Sequence, residues 1–460
     1  MEQDLLQSAK HIYFAGIGGS GMSPLADILH ARGYRISGSD INESDNLARM
    51  RSLGIPVTME QVADNVTDDI DLFVYTNAVG ANNPELLQAI RMGIPVLERA
   101  KLLGLITRRY PRTVAVAGTH GKTTTSSMLS QILIEAGKDP AVFIGGRLPL
   151  IGANGRAGDS DIMVCEACEF QDHYLEMRPA ISIILNIDAD HLDYFGSLDG
   201  VIRSFQKFAA LTGETLIVNR DDPHAGEAVK GITGKTVVTY GVNGDAEWTA
   251  KNVTFVNGSY GQYDLYHNGK FFAAITLGIP GEHNVGNSMA AAAAAHLYGV
   301  PAGQIAAGIA SFRGAGRRFE FLGTFGGVTV VDDYAHHPTE IRATVSAAKK
   351  LGHERVWAVF QPFTFSRTAQ HLEEFAAVLS EADVAVVCDI MGSREQNTYG
   401  VSSRQITDRI PNGVYQPTFE DVTRYVVDNV RPGDLVLTMG GGDIYKCARM
   451  IARRLDETTG

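Results

Sequence analysis

Along most of the chain, short apolar runs alternate with stretches of helical spacing. HIYFAGIG (from His11), DLFVYTN (from Asp71), TVAVAG (from Thr113), DIMVCEA (from Asp161) and ISIILNI (from Ile181) read as strands. So do TLIVN (from Thr215), GVTVVDDY (from Gly327), RVWAVF (from Arg355), DVAVVCD (from Asp383) and DLVLTMG (from Asp434). Continuous apolar strands separated by helices predict parallel sheets covered on both faces, hence an α/β protein. One region breaks the pattern. From Glu247 to Leu277, short strand-like runs are divided by NGSYG and HNGK, which predicts antiparallel hairpins inserted in an α/β domain. SMAAAAAAHLYGV, from Ser288, predicts a buried alanine-rich helix.

Two stretches interrupt the alternation. TRRYPR (Thr107 to Arg112) and the glycine- and arginine-rich SFRGAGRRFEFLG (Ser311 to Gly323) each precede a fresh strand. They divide the chain into residues 1–110, 111–313 and 314–460. The 460 residues agree with that division at about 150 residues per domain.

Composition narrows the function classes. Hydrophobic residues make up 45% and charged residues 20%, ordinary for a globular protein with several cores. A formal charge of −12 argues against nucleic-acid binding, which needs a basic face. The start, MEQDLLQSAKH, is polar and lacks the apolar core of a secretory signal. No apolar run reaches the ~20 residues of a membrane span, so a cytoplasmic protein without a membrane partner is expected. The four cysteines are too few for a disulfide scaffold. Cys165 and Cys168 form a C-x-x-C within an expected strand, where their side chains would point to opposite faces. Packing is the expected role there.

Two glycine-rich turns carry the chemistry. GIGGSG gives Gly16, Gly18 and Gly21 between a strand and a helix, with Asp40 at the end of the next strand. That matches the dinucleotide fingerprint, in which glycines admit a pyrophosphate to a helix N-terminus and an acid takes a ribose hydroxyl. The same physics would accept a UDP-sugar. The second turn, GTHGKTTT, places Gly118, Gly121, Lys122, Thr123, Thr124 and Thr125 between a strand and a helix. The full P-loop pattern wants a glycine where Val116 stands, so the loop is one register shorter with Gly118 turning the chain. Backbone N–H groups and Lys122 would hold terminal phosphates, and Thr123 is placed to bind Mg²⁺. Glu166 ends one later strand, and Asp188, Asp190, His191 and Asp193 follow another. Strand ends of a parallel sheet collect at one rim, which makes these the candidate metal ligands.

With these pieces the chain resembles the Mur ligase family, the ATP-dependent amide-bond synthetases of cell-wall precursor assembly. AGTHGKTTT, NIDADHLDYFG, GEHNVGNSMAAAAAA, GAGRRFEFLG, VVDDYAHHPTEI and SRT stand in the family's order. GIGGSGMSPLA, RRFEFLG, DDYAHHPTEIRAT and DIMGSREQNTYGVSS resemble the members that add L-alanine to UDP-N-acetylmuramic acid. The resemblance implies a Rossmann-like N-terminal domain holding the UDP portion of the substrate rather than NAD. It implies a central P-loop ATPase-like domain binding ATP, and a Rossmann-like C-terminal domain that closes over ATP and brings in the amino acid.

Carried over motif by motif, it assigns Gly16, Gly18, Gly19, Ser20, Gly21, Met22 and Asp40 to the sugar nucleotide. Gly118, Thr119, His120, Gly121, Lys122, Thr123 and Thr124 go to ATP, with His283, Asn284 and Asn287 from GEHNVGN. Thr123 and Glu166 would hold one Mg²⁺ and His191 a second. Arg317 or Arg318, and Asp332 or Asp333, would reach ATP, with Arg318 and Asp333 the favoured pair. His337 and Arg367 would lie near the amino acid. Read without the family, HHP is a helix start with His337 at an exposed cap, and the paired arginines are linker charges. Phe363 and Thr364 depart from the family pattern, where histidine and arginine are familiar. The loss of a polar contact there predicts that glycine or serine is accepted beside alanine. Three other readings stand beside it: a ligase recovering a tripeptide onto the same sugar nucleotide, an NAD-dependent oxidoreductase, and a nucleotide-binding regulator without turnover. A monomer or homodimer is expected.

Overall fold

The computed structural model describes residues 5–393 and 395–459, and the side chains of Asp193, Thr458 and Thr459 are not described. The first four residues of the polar start, and Arg394 of DIMGSREQNTYGVSS, lie outside the described residues.

Every apolar run expected to be a strand is one, and the strands form three sheets. The first is five-stranded and parallel, in the order Val57–Thr58, Arg35–Ser39, His11–Ala15, Leu72–Tyr75, Val96–Glu98. Its centre strand, His11–Ala15, is buried throughout, as a continuous apolar run covered on both faces must be. The second sheet is built around Arg112–Ala117, which pairs in parallel with Ile181–Ile184 on one side and Ile162–Glu166 on the other. That sheet is ten-stranded. One edge ends in an antiparallel pair, Ala141–Leu148 with Ala153–Arg156. The other continues into Trp248–Val256, Tyr260–His267 and Lys270–Pro280. These are the expected hairpins, and they extend the sheet. The third sheet is six-stranded, ordered Glu320–Phe325, Val328–Asp333, Leu435–Met439, Val356–Phe360, Val384–Val387, Gly413–Tyr415. Its pairs are parallel except the first.

The chain divides into two compact units. One holds the residues up to Lys251, with Leu265–Ala273 and Gly286–Ile309. The other holds Asn252–Asp264, Ala274–Val285 and the chain from Ala310 on. Within the first unit a single apolar cluster runs from Phe14, Leu25 and Leu72 through Leu102, Leu103 and Ile106 to Tyr174, Met177, Phe205 and Phe208. The helix Arg99–Thr107 and the segment around Tyr174 therefore join the first sheet to the second across one core. Tyr174 stacks on Phe208 with ring centroids 4.5 Å apart, and its hydroxyl meets that of Ser204 at 2.8 Å. The helix His283–Leu297 buries its alanine run, Ala290 to Ala295, as expected. Among the described residues no helix is long and apolar enough to cross a membrane.

The close approach at this junction is measurable. A Cβ on Gly104 would stand 2.6 Å from the Glu176 carbonyl oxygen. Gly104→Ala is expected to lower the unfolding midpoint, by about 1–3 kcal/mol of overpacking. Thermal denaturation followed by circular dichroism checks this, and an unchanged midpoint would show that the helix can move off the segment at no cost.

Candidate functional site

The turn from Gly118 to Gly121 links the strand Arg112–Ala117 to the helix Lys122–Glu135. It is fastened to the segment after the neighbouring strand. The Thr119 N–H donates to the Asn186 carbonyl (3.0 Å) and the His120 N–H to Asn186 Oδ1 (2.8 Å). The Asn186 amide donates back to the His120 carbonyl (3.0 Å), and the Asp188 N–H donates to Thr119 Oγ1 (2.9 Å). Gly121 caps the helix at φ 85°, in the left-handed region that favours glycine. A Cβ there would lie 2.7 Å from Asn287 Oδ1, so Asn287 is brought against the loop. Thr124 is buried on the helix behind the turn.

Lys122 curls back over its own loop. Its Nζ donates to the carbonyls of Gly118 and Thr119 (3.0 Å to the latter) and lies 3.0 and 2.9 Å from the two oxygens of Glu169. The two side chains are only 13% and 4% exposed. Burial opposes the charged ammonium, but the carboxylates of Glu169 and Glu166 outweigh it and hold the lysine above its ordinary range. Sequence reasoning missed Glu169. The signal was a second acid three residues after Glu166 in CEACEF.

Thr123 and Glu166 meet directly. Thr123 Oγ1 donates to Glu166 Oε2 at 2.8 Å, and the Gly145 N–H donates to the same oxygen at 2.8 Å. A Cβ on Gly145 would come within 2.7 Å of Glu166 Oε2 and 2.8 Å of Thr123 Oγ1. Any side chain at 145 would fill the place where the hydroxyl and carboxylate converge. An oxygen-only donor set with that room fits a hard divalent cation. His191 stands at φ 54° with its ring against Phe170 (4.8 Å between centroids) and Nε2 3.7 Å from Asp190 Oδ2. Among the described residues its ring meets those two rather than Thr123 or Glu166. His120 Nε2 lies 3.2 Å from Asp188 Oδ2. The expected strand holding both cysteines is shorter than read. It ends at Glu166, so Cys165 is buried within it while Cys168 lies beyond it and is exposed. The chain turns there because Ala167 hands its N–H to Val116 and the following residues leave the sheet.

The first glycine turn shares a cavity with this cradle. Ser20 and Gly21 line it from one side, Gly145, Glu166 and Cys168 from the other, with Arg99 and His173 between. The Asn154 amide donates to the Ser20 carbonyl (2.7 Å) and ties the first turn to the second sheet. Gly16 turns the chain at φ 81°, and Met22 precedes the helix Ser23–Ala31. The Gly19 N–H closes the turn onto the Gly16 carbonyl (3.1 Å). Asp40 is engaged by backbone: Oδ2 accepts the Gly18 N–H (2.9 Å) and Oδ1 accepts those of Ile41 (2.8 Å) and Asn42 (3.1 Å). It shapes the turn from beneath. His173 accepts from Arg99 through Nδ1 at 3.1 Å, and desolvation followed by the Arg99 charge pulls its pKa down to about 4.

In the second unit, the sequence left two arginines and two aspartates open as candidates. Arg317 is consumed by structure: it donates to Asp332 Oδ2 (3.1 Å) and the carbonyls of Gly442 (2.9 Å) and Gly440 (2.6 Å). Asp332 is 1% exposed and also accepts from Thr438 (2.6 Å). Arg318 lies over the Tyr334 ring at 4.7 Å. Asp333 accepts the N–H groups of Phe319 (2.6 Å) and Ala335 (2.7 Å), and burial raises it to about 6 against the pull of Arg318. His337 caps the helix Pro338–Lys349 in a capping box with Glu340, yet it is buried, at 5% exposure, where an exposed cap was the bland expectation. Asn284 donates to the Pro280 carbonyl (2.7 Å), and the His283 ring lies against Gly281. Phe363 faces His336 (6.5 Å between ring centroids) and the glycine run at Gly441. Thr364, at φ 66°, begins the helix Phe365–Gln370 that carries Arg367.

Comparison with known proteins accounts for both units. Residues 11–111 match the model described as "Mur ligase family, catalytic domain", 116–295 the "Mur ligase middle domain", and 317–442 the "Mur ligase, glutamate ligase domain". The chain is 44% identical over 450 residues to a UDP-N-acetylmuramate–L-alanine ligase of Agathobacter rectalis, covering 96% of this chain and 98% of that one. It is 44% identical over 452 residues to the enzyme of that name from Caldanaerobacter subterraneus, covering 97% and 98%. The crystal structure of a UDP-N-acetylmuramate–alanine ligase from Thermotoga maritima superposes with a TM-score of 0.84 at 29% identity, covering 98% and 100%. A murein peptide ligase from Psychrobacter arcticus shares the fold, with a TM-score of 0.76 at 24% identity over 97% and 99%.

The depressed His173 gives a signed pH dependence. Its unfolded form titrates near 6.5 and its folded form near 4, so stability from this group is complete above about 6.5 and is lost as pH falls toward 4. Discounted for partial exposure, the loss is on the order of 1 kcal/mol. Urea unfolding at pH 7 and pH 4.5 checks it: the drop should be smaller in His173→Phe than in the parent, and an equal drop rejects the assignment.

Proposed function

The chain belongs to the Mur ligase family, and on that premise we propose that it joins the lactyl carboxylate of UDP-N-acetylmuramic acid to the amine of L-alanine with ATP. The product would be a precursor of peptidoglycan, and its nucleotide substrates favour a cytoplasmic activity. One observation carries the reading. Glu166 and Gly145, which meet Thr123, line the same cavity as Ser20 and Gly21, so a phosphoryl donor held by the Lys122 loop and a sugar nucleotide held by the first turn would come together there.

A carboxylate is a poor electrophile and must be activated. Its oxygen attacks the γ-phosphorus of ATP, the bond to ADP breaks, and an acyl phosphate forms. The amine of alanine, having lost its proton, attacks the acyl carbon, and the tetrahedral intermediate expels inorganic phosphate. The N–H groups of the Gly118–Gly121 turn and Lys122 hold the phosphates. Lys122 leaves Glu169 for the phosphate and returns, which keeps the ammonium countered in both states. Thr123 and Glu166 would hold Mg²⁺, with His191 beside Asp190 as the ligand of a second ion. Such an ion, when bound, offsets negative charge on the transferring phosphoryl group. In the first unit Asn287, set against Gly121, would border the nucleotide; of the second unit, His283, Asn284, Arg318 and Asp333 would serve ATP, and His337, Arg367 and Phe363 the amino acid. No covalent enzyme intermediate is required; positioning and charge stabilisation do the work.

Phosphate release with ATP, UDP-N-acetylmuramate and L-alanine tests this. Release that depends on alanine supports the reading, and release that requires a tripeptide in its place points to the recycling ligase. Lys122→Met should lower the rate by about 10²–10³-fold, the scale of losing one preorganised charge contact. A Lys122→Met protein that turns over at the parent rate would falsify the assignment. Chelation of divalent ions should abolish release, and Thr123→Val should raise the Mg²⁺ concentration needed to restore it. In competition, glycine and serine are expected to be incorporated beside alanine. Exclusive use of alanine would show that Phe363 leaves the pocket strict.

A further inference from the structure

We propose that Arg99 is the residue that grips the reacting carboxylate of the sugar nucleotide and aims it at the Thr123–Glu166 cradle. This rests on the reading of the site as a sugar-nucleotide ligase and adds a specificity residue to it.

Arg99 opens the helix Arg99–Thr107, directly after the last strand of the first sheet. Glu98 fixes that start by accepting the Ala100 N–H at 2.6 Å. Arg99 lines the cavity that Ser20, Gly21, Gly145 and Glu166 also line. A Cβ on Gly21 would lie 3.0 Å from Arg99 Cδ, so the first glycine turn packs directly on the arginine stem. Arg99 thus stands between the turn that would hold a sugar nucleotide and the cradle that would hold the phosphoryl donor.

Its charge has no counter-charge. Among the described residues, Arg99 forms no ion pair with a carboxylate, and its hydrogen-bond acceptor is Nδ1 of His173 at 3.1 Å. A neutral imidazole orients one N–H but neutralises nothing, and the guanidinium itself disfavours protonation of that ring. A guanidinium offers a planar fork of donors that matches a carboxylate with two parallel hydrogen bonds. Two arginines of this unit are paired with carboxylates, Arg49 2.6 Å from Asp27 and Arg51 2.8 Å from Glu43, while Arg32 and Arg178 are held by carbonyl and hydroxyl oxygens. Glu166, the acid on the same cavity, is already engaged by Thr123 and the Gly145 N–H. Arg99 therefore keeps donors to offer to an anion from outside the chain. A group that touches both Arg99 and the cradle is the one that accepts the phosphoryl, and in this substrate that is the lactyl carboxylate.

UDP-N-acetylglucosamine carries the same nucleotide and sugar without the lactyl carboxylate, which isolates the contact. Calorimetric titration of both compounds into the parent, Arg99→Gln and Arg99→Lys is the test. The parent should prefer UDP-N-acetylmuramate. Arg99→Gln should weaken that compound by about tenfold or more, as loss of a bidentate charged pair does, and leave UDP-N-acetylglucosamine unchanged. Unchanged binding of the second compound also reports an intact fold. Arg99→Lys should recover only part of the preference, because an ammonium lacks the fork. The KM for ATP should stay at the parent value in both variants. Equal weakening of the two compounds, or no change in either, overturns the inference while parent turnover with alanine upholds the ligase reading. A parent that binds neither compound and releases no phosphate overturns both.

Discussion

A buried ammonium needs a counter-charge, and the phosphate turn is organised around that requirement. Lys122 is almost fully enclosed, with carbonyl oxygens of its own loop on one side and Glu169 on the other. Removing one partner of such a pair costs roughly 3–5 kcal/mol, because the remaining charge is left without solvent. The loop must therefore keep its shape when no phosphate is bound, and Glu169 must lie within reach of the lysine. Everything that places these residues, from the strand register to the Asn186 clasp, serves this one electrostatic condition.

The parallel sheet meets the condition by geometry. Arg112–Ala117 lies between Ile181–Ile184 and Ile162–Glu166, so the turn after the first strand, the acid ending the third and the Asp188–His191 segment emerge at one rim. The shared apolar core from Leu102 to Phe208 then fixes the first glycine turn against the same rim. Two turns distant in sequence come to border one cavity. Gly145 keeps that cavity open, since a Cβ there would occupy the space between Thr123 and Glu166.

Some of this was legible before any fold was known. Both glycine turns, Lys122, Thr123 and Glu166 could be read because their chemistry lies in contiguous residues at strand ends. The strand runs could be read because burial on both faces leaves an uninterrupted apolar string. Asp40 was legible as the acid ending the second strand, but its partners were not: its oxygens accept the N–H groups of Gly18, Ile41 and Asn42. Arg317 and Arg318 are adjacent and chemically identical, and both lie over the Tyr334 ring, so only packing could show that Arg317 is the one locked onto Asp332 and two carbonyls.

The amino-acid order alone determined the α/β class, the positions of the two turns and the residue types able to hold phosphate and a divalent cation. These are local properties of spacing and polarity. The tertiary structure alone decided that Glu169 rather than water faces Lys122, that Gly145 shapes the cradle, and that Arg99 and His173 meet across 74 residues of chain. Pairing of charge and exclusion of volume depend on distances through space, and a linear sequence fixes those only once the sheets have closed.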